Sequence, residues 1–426
     1  MIVKYIYSAC IQIETEDIKI LCDPWFTEGI YDGSWYHFPE IKNPFKLIDK
    51  PDLIYISHIH PDHYDPNFLK KLFKKYGEIK VIIPNLKKNF LYFKSLSDGI
   101  KTNPTDYLRI KNTHIHIVPN MEGSNSDIDS ALFVKDNNSS ILNLNDCAWN
   151  RKQNLALKKI IKKYNKKIDL LALGYTGAGP YPQTYYDIYK EKKKLIQKSK
   201  EKKKDFINRY LNYSKYFDSR YNLPFAGKYL LGGKLTNLNK YRGVIDPIEI
   251  KKVDKKAIIL ADEGKGYINL KTNKISKERI KSYSHKMIKN RQRLIKNKEM
   301  VYEKDIKINP KEINFQRMIY SSYLNALKKS EVTKDYFFVF NIIHKNITLD
   351  KFIINCNKNK NYFKKITTKI NRPVSELFID YRYFFGLLTG LYHWNNAEVG
   401  SHIMTRRKPD NFDRSAQRFL NFFNCL

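Results

Sequence analysis

The feature that most constrains this chain is one uninterrupted stretch in which a strand, a polar loop and a helix start follow one another. Residues 53–56 have the sequence Leu-Ile-Tyr-Ile, an apolar run that predicts a short buried strand. The run continues directly into residues 57–63, Ser-His-Ile-His-Pro-Asp-His. Asp65 and Pro66 then supply a capping carboxylate and a proline at the first helical position, so a helix is predicted to begin there.

The loop carries side chains that bind metal ions. In extended backbone, residues two apart project to the same side, so His58 and His60 can hold a single ion. Asp62 and His63 can share that ion or reach a second one. A solvated histidine-rich loop is the alternative interpretation, but three of the ten histidines lie within six positions behind a predicted strand. We therefore predict one or two divalent ions, with zinc, iron or manganese suited to imidazole and carboxylate ligands.

Length and composition limit the class of protein. A chain of 426 residues can bury a large core, and it predicts two domains or one domain with a large appendage. No run approaches the roughly 18 apolar residues of a membrane span, so no span is expected. The five cysteines are scattered and form no C-x-x-C pair, which favours a reducing, cytoplasmic location.

The net charge of +35 admits three partners: nucleic acid, an anionic membrane surface or a phosphorylated substrate. The densest lysine run, residues 190–204, also contains glutamate, leucine and isoleucine, which is typical of a solvated helix. A positive net charge attracts any anionic partner and does not identify which one binds. We therefore do not predict specific binding to nucleic acid.

Three further segments are candidates for substrate binding. An aromatic loop around Trp35 is either a lid over a substrate or hydrophobic packing. Residues 174–182 form a glycine-rich loop whose exposed backbone amides can hold a phosphate or a carboxylate. Residues 224–229, which include a lysine, follow a second predicted helix pair, and lysines are expected to help hold the phosphates of a nucleotide substrate. The predicted substrate-binding residues are Trp35, Tyr175, Thr176, Gly177 and Lys228.

Several segments, in the same order along the chain, resemble one known enzyme family. They are residues 23–25 (Asp-Pro-Trp), 53–63, 141–147, 175–184 and 224–227, and the likeness runs from about residue 1 to 275. Together they resemble the metallo-β-lactamase-like portion of CMP-N-acetylneuraminate hydroxylase and the related UDP-N-acetylmuramate hydroxylases. The resemblance implies an α/β fold, namely an αββα sandwich with its metals at the rim between two sheets. It also implies an enzyme that acts on nucleotide-activated, N-acylated amino sugars.

The resemblance adds Asp146, at the end of the strand in residues 141–144, as the carboxylate that bridges or completes the metal site. The alternative interpretation is a turn-forming Asn-Asp pair. The predicted ligands are thus His58, His60, Asp62, His63 and Asp146. Asp62 and Asp146 are the predicted catalytic residues, with Asp62 placed to orient or deprotonate a water molecule.

Two departures from that family matter. No cysteine is followed by histidine two or three residues later, so the chain lacks the ligands of a Rieske cluster and would need a separate electron-transfer partner to act as a hydroxylase. Hydrolytic members of the superfamily usually add a histidine before the bridging aspartate. Here the corresponding stretch offers only the oxygen ligands Glu122, Asn125 and Asp127 as substitutes.

We expect a metal-binding domain in residues 1–245 and a short extension in 246–280, with a hairpin whose arms are residues 257–260 and 267–270. A mostly helical C-terminal region is expected in 281–426, and it includes an aromatic amphipathic segment in residues 377–392. The predicted function is metal-dependent hydrolysis of a nucleotide-activated or N-acylated amino sugar, in surface-glycan or cell-wall precursor metabolism. The alternatives are the metal-bearing half of a hydroxylase, a non-catalytic binding scaffold, and a nuclease suggested by charge alone.

Overall fold

The computed structural model describes residues 1–120, 128–164, 167–345, 347–366 and 374–426. The strands up to residue 280 are β1 (Ile2–Tyr7), β2 (Cys10–Glu14), β3 (Lys19–Cys22), β4 (Trp35–Tyr36), β5 (Leu53–Tyr55), β6 (Lys80–Ile83), β7 (Asn103–Pro104), β8 (Tyr107–Ile110), β9 (Thr113–Pro119), β10 (Ser130–Lys135), β11 (Ser140–Asn143), β12 (Leu170–Gly174), β13 (Tyr221–Phe225), β14 (Leu230–Leu231), β15 (Gly266–Asn269) and β16 (Lys274–Ile275). The later strands are β17 (Phe337–His344), β18 (Ile347–Asn355), β19 (Phe363–Lys365), β20 (Val374–Asp380) and β21 (Met404–Lys408).

Helices and single turns connect these strands. They are α1 (Ile30–Gly33), α2 (Pro66–Tyr76), α3 (Phe90–Ser97), α4 (Arg151–Lys163), α5 (Lys192–Phe217), α6 (Pro247–Lys251), α7 (His285–Ile295), α8 (Val301–Asp305), α9 (Phe315–Ser330), α10 (Tyr381–Leu388), α11 (Trp394–Val399) and α12 (Arg414–Leu420). The predicted start of α2 is confirmed, because Asp65 accepts a hydrogen bond from the Phe68 amide at 3.0 Å and Pro66 is the first helical residue. Within the described residues, no helix is long and apolar enough to cross a membrane.

Two sheets form the centre of the first part of the chain. One has eight strands in the order β16-β15-β1-β2-β3-β5-β6-β7, and the other has six in the order β13-β12-β11-β10-β9-β8. Side chains along a strand point alternately to the two faces of the sheet. One set therefore faces the other sheet, and the other set faces outward. The inward faces share one apolar core, in which Val3, Ile13 and Leu53 of the first sheet pack with Leu132 and Ile141 of the second.

The outward faces are covered by helices. On the first sheet, Ile54 and Val81 pack with Phe68 and Leu69 of α2. On the second sheet, residues of β10 to β12 pack with Leu157 of α4 and with Tyr210 and Tyr213 of α5. Helix, sheet, sheet and helix therefore follow one another in layers, which confirms the predicted αββα sandwich.

The pairing of the strands directs several loops to the same edge. Strands β3, β5 and β6 run parallel in the first sheet, and β11, β12 and β13 run parallel in the second. In such sheets, ligands bind beyond the carboxyl ends of the strands. The histidine loop follows β5, Asp146 lies just beyond β11, and the glycine-rich loop follows β12.

The hairpin expected in the extension has different partners. We expected residues 257–260 to pair with 267–270, but β15 pairs with β1 on one side and with β16 on the other. Ala257 instead forms an isolated bridge with Asn222. Turn-forming residues indicate that the chain reverses direction, but they do not determine which strand the next segment pairs with. Here β15 pairs with the edge strand β1 of the first sheet. The extension thus completes the eight-stranded sheet.

The C-terminal region contains more strand than we expected. Helices α7 to α12 are present, but the region also contains a five-stranded sheet in the order β19-β18-β17-β20-β21. The segment 377–392, predicted as one amphipathic stretch, is the end of β20 followed by α10. Aromatic and β-branched residues are as well suited to a buried strand as to the apolar face of a helix, so their spacing in a short run does not distinguish the two.

Candidate metal centre

The two sheets bring the histidine loop and Asp146 together at their shared rim. His58, His63 and Asp146 offer ligand atoms that all lie within 4.8 Å of one another. His58 Nε2 lies 2.9 Å from Nδ1 of His60. His63 Nε2 lies 3.6 Å from an oxygen of Asp62 and 3.6 Å from an oxygen of Asp146. All five residues predicted as ligands therefore lie in one cluster.

Asp129 is a further carboxylate in this cluster that the sequence did not indicate. Its Oδ1 lies 3.7 Å from His58 Nε2. It directly precedes β10, and its neighbour Ser130 accepts a hydrogen bond from Tyr55 at the end of β5. This contact between the facing sheets could not be inferred from local sequence. The predicted substitutes Glu122, Asn125 and Asp127 lie outside the described residues.

Asp23 and Ser57 determine the orientation of two of the histidines. Asp23 follows β3 and is fully buried, and its carboxylate accepts hydrogen bonds from the Ser57 amide at 2.7 Å, the Ser57 hydroxyl at 2.8 Å and His63 Nδ1 at 3.0 Å. Because the Ser57 hydroxyl donates to Asp23, its oxygen accepts from His58 Nδ1 at 3.0 Å. Both Nδ1 atoms thus carry hydrogen, and Nε2 of His58 and His63 keeps its lone pair for a metal.

The strand register contains a signal that could have identified Asp23. Its predecessor Cys22 pairs with Tyr55, so Asp23 and Ser57 emerge from neighbouring parallel strands at one sheet edge. We noted Asp23 only as part of the family resemblance, because the parallel pairing is not visible in a single sequence.

Two other ligands are held by residues outside the loop. His60 Nε2 lies 2.8 Å from Oδ1 of Asn395, which belongs to α11 in the C-terminal region. Asp62 Oδ1 accepts a hydrogen bond from the Tyr31 hydroxyl at 2.5 Å. These partners leave His60 Nδ1 and the second oxygen of Asp62 available within the cluster.

The arrangement fits a divalent ion. Two ligands about 2.1 Å from an ion are about 3 Å apart at a right angle and at most about 4.2 Å apart in line. The separations of 2.9, 3.6 and 3.7 Å fall in this interval. His63 Nε2 is also buried and, in the part of the chain that the structure describes, has no hydrogen-bond partner. A cation between these atoms would satisfy that nitrogen and separate the facing lone pairs of His58 and His60.

The protonation of the cluster follows from burial and from the charges within it. Burial lowers the pKa of His58 well below its usual value, so this imidazole is neutral. Burial would also lower the pKa of His63, but the carboxylates of Asp62 and Asp23 outweigh it and raise that pKa. Burial raises the pKa of Asp129 to about 6. In a chain without metal, His63 therefore holds the proton that a metal would replace.

The residues predicted to bind substrate are mostly buried in the protein interior. Trp35 is 1% exposed and stacks on Tyr229 at a centroid distance of 3.3 Å. Of the two interpretations of this loop, a lid over a substrate and hydrophobic packing, its position matches hydrophobic packing. Lys228 forms an ion pair with the buried carboxylate of Asp262 at 2.6 Å. A side chain on Gly177 would collide with the ring of Phe206 of α5.

Tyr175 and Thr176 are also buried, and neither hydroxyl has a hydrogen-bond partner among the described residues. The glycine-rich loop thus packs tightly against α5. We predicted it as an open cradle because glycine allows close approach of any partner, whether a ligand or a helix.

Comparison with known proteins agrees with this fold. The sequence profile described as Beta-lactamase superfamily domain matches residues 2–160. A cytidine monophosphate-N-acetylneuraminic acid hydroxylase of Danio rerio is 27% identical over 231 residues, which are 52% of this chain and 37% of that protein. A putative Rieske 2Fe-2S iron-sulfur protein of Mycolicibacterium smegmatis is 28% identical over 186 residues, 41% of this chain and 34% of that protein. This chain therefore spans only about a third of the length of these two relatives.

Among solved structures, a metallo hydrolase from the archaeon Ignicoccus hospitalis is similar with a TM-score of 0.41 and 14% identity, over 62% of this chain and 97% of that one. The fold family implies a divalent metal ion, and His58, His63 and Asp146 bring three ligand atoms close enough together to hold one. Residues 2–160 thus match the beta-lactamase superfamily domain, and the two facing sheets with outer helices have the αββα architecture of the metallo-β-lactamase fold.

Proposed function

We propose that this protein is a metal-dependent enzyme that acts on a nucleotide-activated or N-acylated amino sugar. The observation that carries the proposal is the cluster of three histidines and three carboxylates at the rim between the two sheets. Its members are His58, His60, His63, Asp62, Asp129 and Asp146. The hydroxylase named among the relatives supports the substrate class.

The cluster is accessible from its carboxylate side. The side chains of His58 and His63 are at most 1% exposed, whereas those of Asp129 and Asp146 are 20% and 32% exposed. Water and substrate can therefore approach past Asp129 and Asp146. A divalent ion held there would lower the pKa of a bound water toward about 7 and polarise a carbonyl or phosphoryl oxygen.

Asp62 is the residue best placed to handle a proton. Tyr31 donates to its Oδ1 and fixes the orientation of the carboxylate, while Oδ2 lies within the cluster, 3.6 Å from His63 Nε2. A positioned carboxylate of this kind can accept a proton from a water molecule and later return it to a leaving group. These contacts support the catalytic role that we propose for Asp62.

A cation beside the cluster supports an anionic substrate. Arg209 of α5 is half-buried, its positive charge favours the ionised forms of Asp129 and Asp146, and its Nη2 lies 3.7 Å from the position of a Cβ on Gly174. Its guanidinium lies over the ring of Phe206, 4.4 Å from the ring centroid. An arginine at this position beside the cluster is suited to a phosphate or carboxylate of the substrate.

An aromatic surface lies next to this cation. Trp149, three residues after Asp146, is 44% exposed, and its ring contacts Tyr213 and Tyr216 of α5 at centroid distances of 5.0 and 5.2 Å. Arg209 and Tyr213 are four residues apart, so they share one face of the helix. A nucleotide whose base stacks on Trp149 would place its phosphates near Arg209, and stacking of this kind contributes about 1–3 kcal/mol per base.

Oxygenation is the second candidate reaction. The cluster is rich in carboxylates, and combinations of histidine and carboxylate with open positions suit non-haem iron as well as zinc. In that case we expect a separate iron–sulfur protein to supply the electrons, because no cysteine of this sequence is followed by histidine two or three residues later. The cytoplasmic location and a role in surface-glycan or cell-wall precursor metabolism remain predictions.

The test is a screen of the full chain with zinc, iron or manganese against nucleotide-activated and N-acylated amino sugars, followed by mass spectrometry of the products. Hydrolysis splits the substrate with water, whereas hydroxylation adds one oxygen atom from O₂, reduces the other atom to water, and requires added O₂ and two electrons from an added donor. The His58→Ala variant is the inactive control. Failure of the metal-loaded chain to bind or convert any of these sugars would contradict the proposal.

The substrate surface has its own test. Trp149→Leu and Arg209→Met should raise KM for nucleotide sugars without changing the metal content. Tyr189→Leu, at an exposed aromatic far along the chain, and Lys204→Met, on the same helix as Arg209, are the matched controls. Equal KM values in all four variants would refute this surface as the nucleotide site.

A further inference from the structure

The contact between His60 and Asn395 joins the histidine loop to a residue 335 positions later in the chain. Oδ1 of an amide only accepts hydrogen bonds, so His60 Nε2 must carry the hydrogen. A neutral His60 then has its lone pair on Nδ1, the atom that lies 2.9 Å from His58 Nε2 within the cluster. Asn395 thus selects the tautomer of His60 that presents Nδ1 to a metal.

The segment that carries Asn395 is firmly anchored. The neighbouring Trp394 is 1% exposed, and its indole Nε1 donates to the Phe423 carbonyl at 2.7 Å. The ring also packs on Phe340, in the middle of the C-terminal sheet, at a centroid distance of 6.1 Å. Asn395 is therefore held at His60 by the core of the C-terminal region.

A second set of contacts connects the C-terminal region to Asp62. His402 Nε2 lies 2.7 Å from the Tyr31 carbonyl, and the Tyr383 hydroxyl donates to Asp32 at 2.6 Å. Tyr31 and Asp32 have φ angles of 52° and 57°, a left-handed conformation that costs energy for residues other than glycine. The C-terminal region thus stabilises the turn from which the Tyr31 hydroxyl holds Asp62.

We propose that Asn395 is a positioning residue of the metal centre, and that the C-terminal region completes this centre rather than merely packing beside it. Asn395 orients His60, and the pair His402 and Tyr383 orients Asp62 through Tyr31. The inference rests on the proposed function only in requiring that the cluster binds a metal. It does not depend on the substrate or on the reaction.

The experiment compares cobalt(II) binding by the full-length chain and by three variants, each first freed of metal. Asn395→Leu keeps the size of the side chain but removes the acceptor, and it should weaken cobalt binding by about 10–100-fold, the usual effect of losing such a partner. Asn395→Asp keeps an oxygen acceptor and should restore affinity toward that of the unaltered chain. Asn396→Leu, on the same helix, is the matched control and should leave binding unchanged.

The visible spectrum of bound cobalt supplies a readout that a loss of stability would not change. If Asn395 orients His60, the bands of the Asn395→Leu protein should shift in energy and intensity, while those of Asn395→Asp and Asn396→Leu should resemble the unaltered chain. Equal affinity and an unchanged spectrum in folded Asn395→Leu would overturn the inference. An unaltered chain that binds no cobalt would instead refute the proposed function, so the two failures are distinguishable.

Discussion

Replacing Asp23 by asparagine tests whether the hydrogen bonds behind the cluster prepare the histidines for a metal. In the unaltered chain, Asp23 Oδ1 accepts from the Ser57 amide, and Oδ2 accepts from the Ser57 hydroxyl and from His63 Nδ1. In Asp23→Asn the remaining oxygen can keep the bond to the Ser57 amide. The new NH₂ group then faces the Ser57 hydroxyl and His63 Nδ1–H, and both donors lose the acceptor that Oδ2 supplied.

The magnitude follows from that one lost acceptor. Leaving a buried donor unsatisfied costs about 1–3 kcal/mol, and His63 is fully buried. Removing the hydrogen-bond partner of a metal-binding histidine typically lowers metal affinity about 10–100-fold. We therefore expect Asp23→Asn to bind metal about 10–100-fold more weakly than the unaltered chain.

The assay is a competition titration against a chromophoric chelator at fixed pH. Asp49→Asn is the matched control, because Asp49 is exposed and pairs only loosely with Lys4 at 3.5 Å. Thermal unfolding of the metal-free proteins shows whether each variant is folded. A folded Asp23→Asn protein with the affinity of the unaltered chain would refute the role assigned to Asp23.

Three further predictions concern packing and titration. Trp394→Ala should destabilise the chain by about 3–5 kcal/mol in denaturant unfolding, as large core truncations do, and a loss below about 1 kcal/mol would contradict its anchoring role. Lys228→Met should lower stability by about 3–5 kcal/mol because it removes the ion-pair partner of the buried Asp262 carboxylate and leaves it the Tyr283 hydroxyl; an increase in KM without that loss would instead support the predicted contact with substrate. Burial lowers the pKa of His402 to about 4, whereas the unfolded value is about 6.5, so the unfolded chain binds more protons between these values. Stability should therefore fall by up to about 3 kcal/mol as the pH drops from about 6.5 to 4, and a His402→Gln protein with the same pH profile as the unaltered chain would contradict this account.

The local part of the fold was predictable because its signals lie close together in sequence. The strand before Ser57, the helix start at Asp65 and the αββα architecture are as predicted. The loop sequence also placed His58, His60 and His63 near one another, since extended backbone and a tight turn leave few alternatives.

The rest of the centre depends on contacts between distant segments. Asp129 joins the cluster through the facing of the two sheets, and Asn395 reaches His60 only because the C-terminal core packs on the rim. Trp35 and Lys228 are chemically suited to bind a ligand, but their burial is decided by tertiary neighbours that local sequence does not specify. The C-terminal sheet was missed for the related reason that short aromatic runs fit either a strand or a helix.

The most direct test of the central claim is the metal content of full-length protein purified without chelators, measured beside the His58→Ala/His60→Ala double variant. Our account predicts a stoichiometric divalent metal in the unaltered chain and its loss from the double variant. Iron would direct attention to oxygenation and an electron donor, and zinc or manganese to hydrolysis. No metal in the unaltered chain, even after reconstitution, or equal metal in both proteins, would contradict the account.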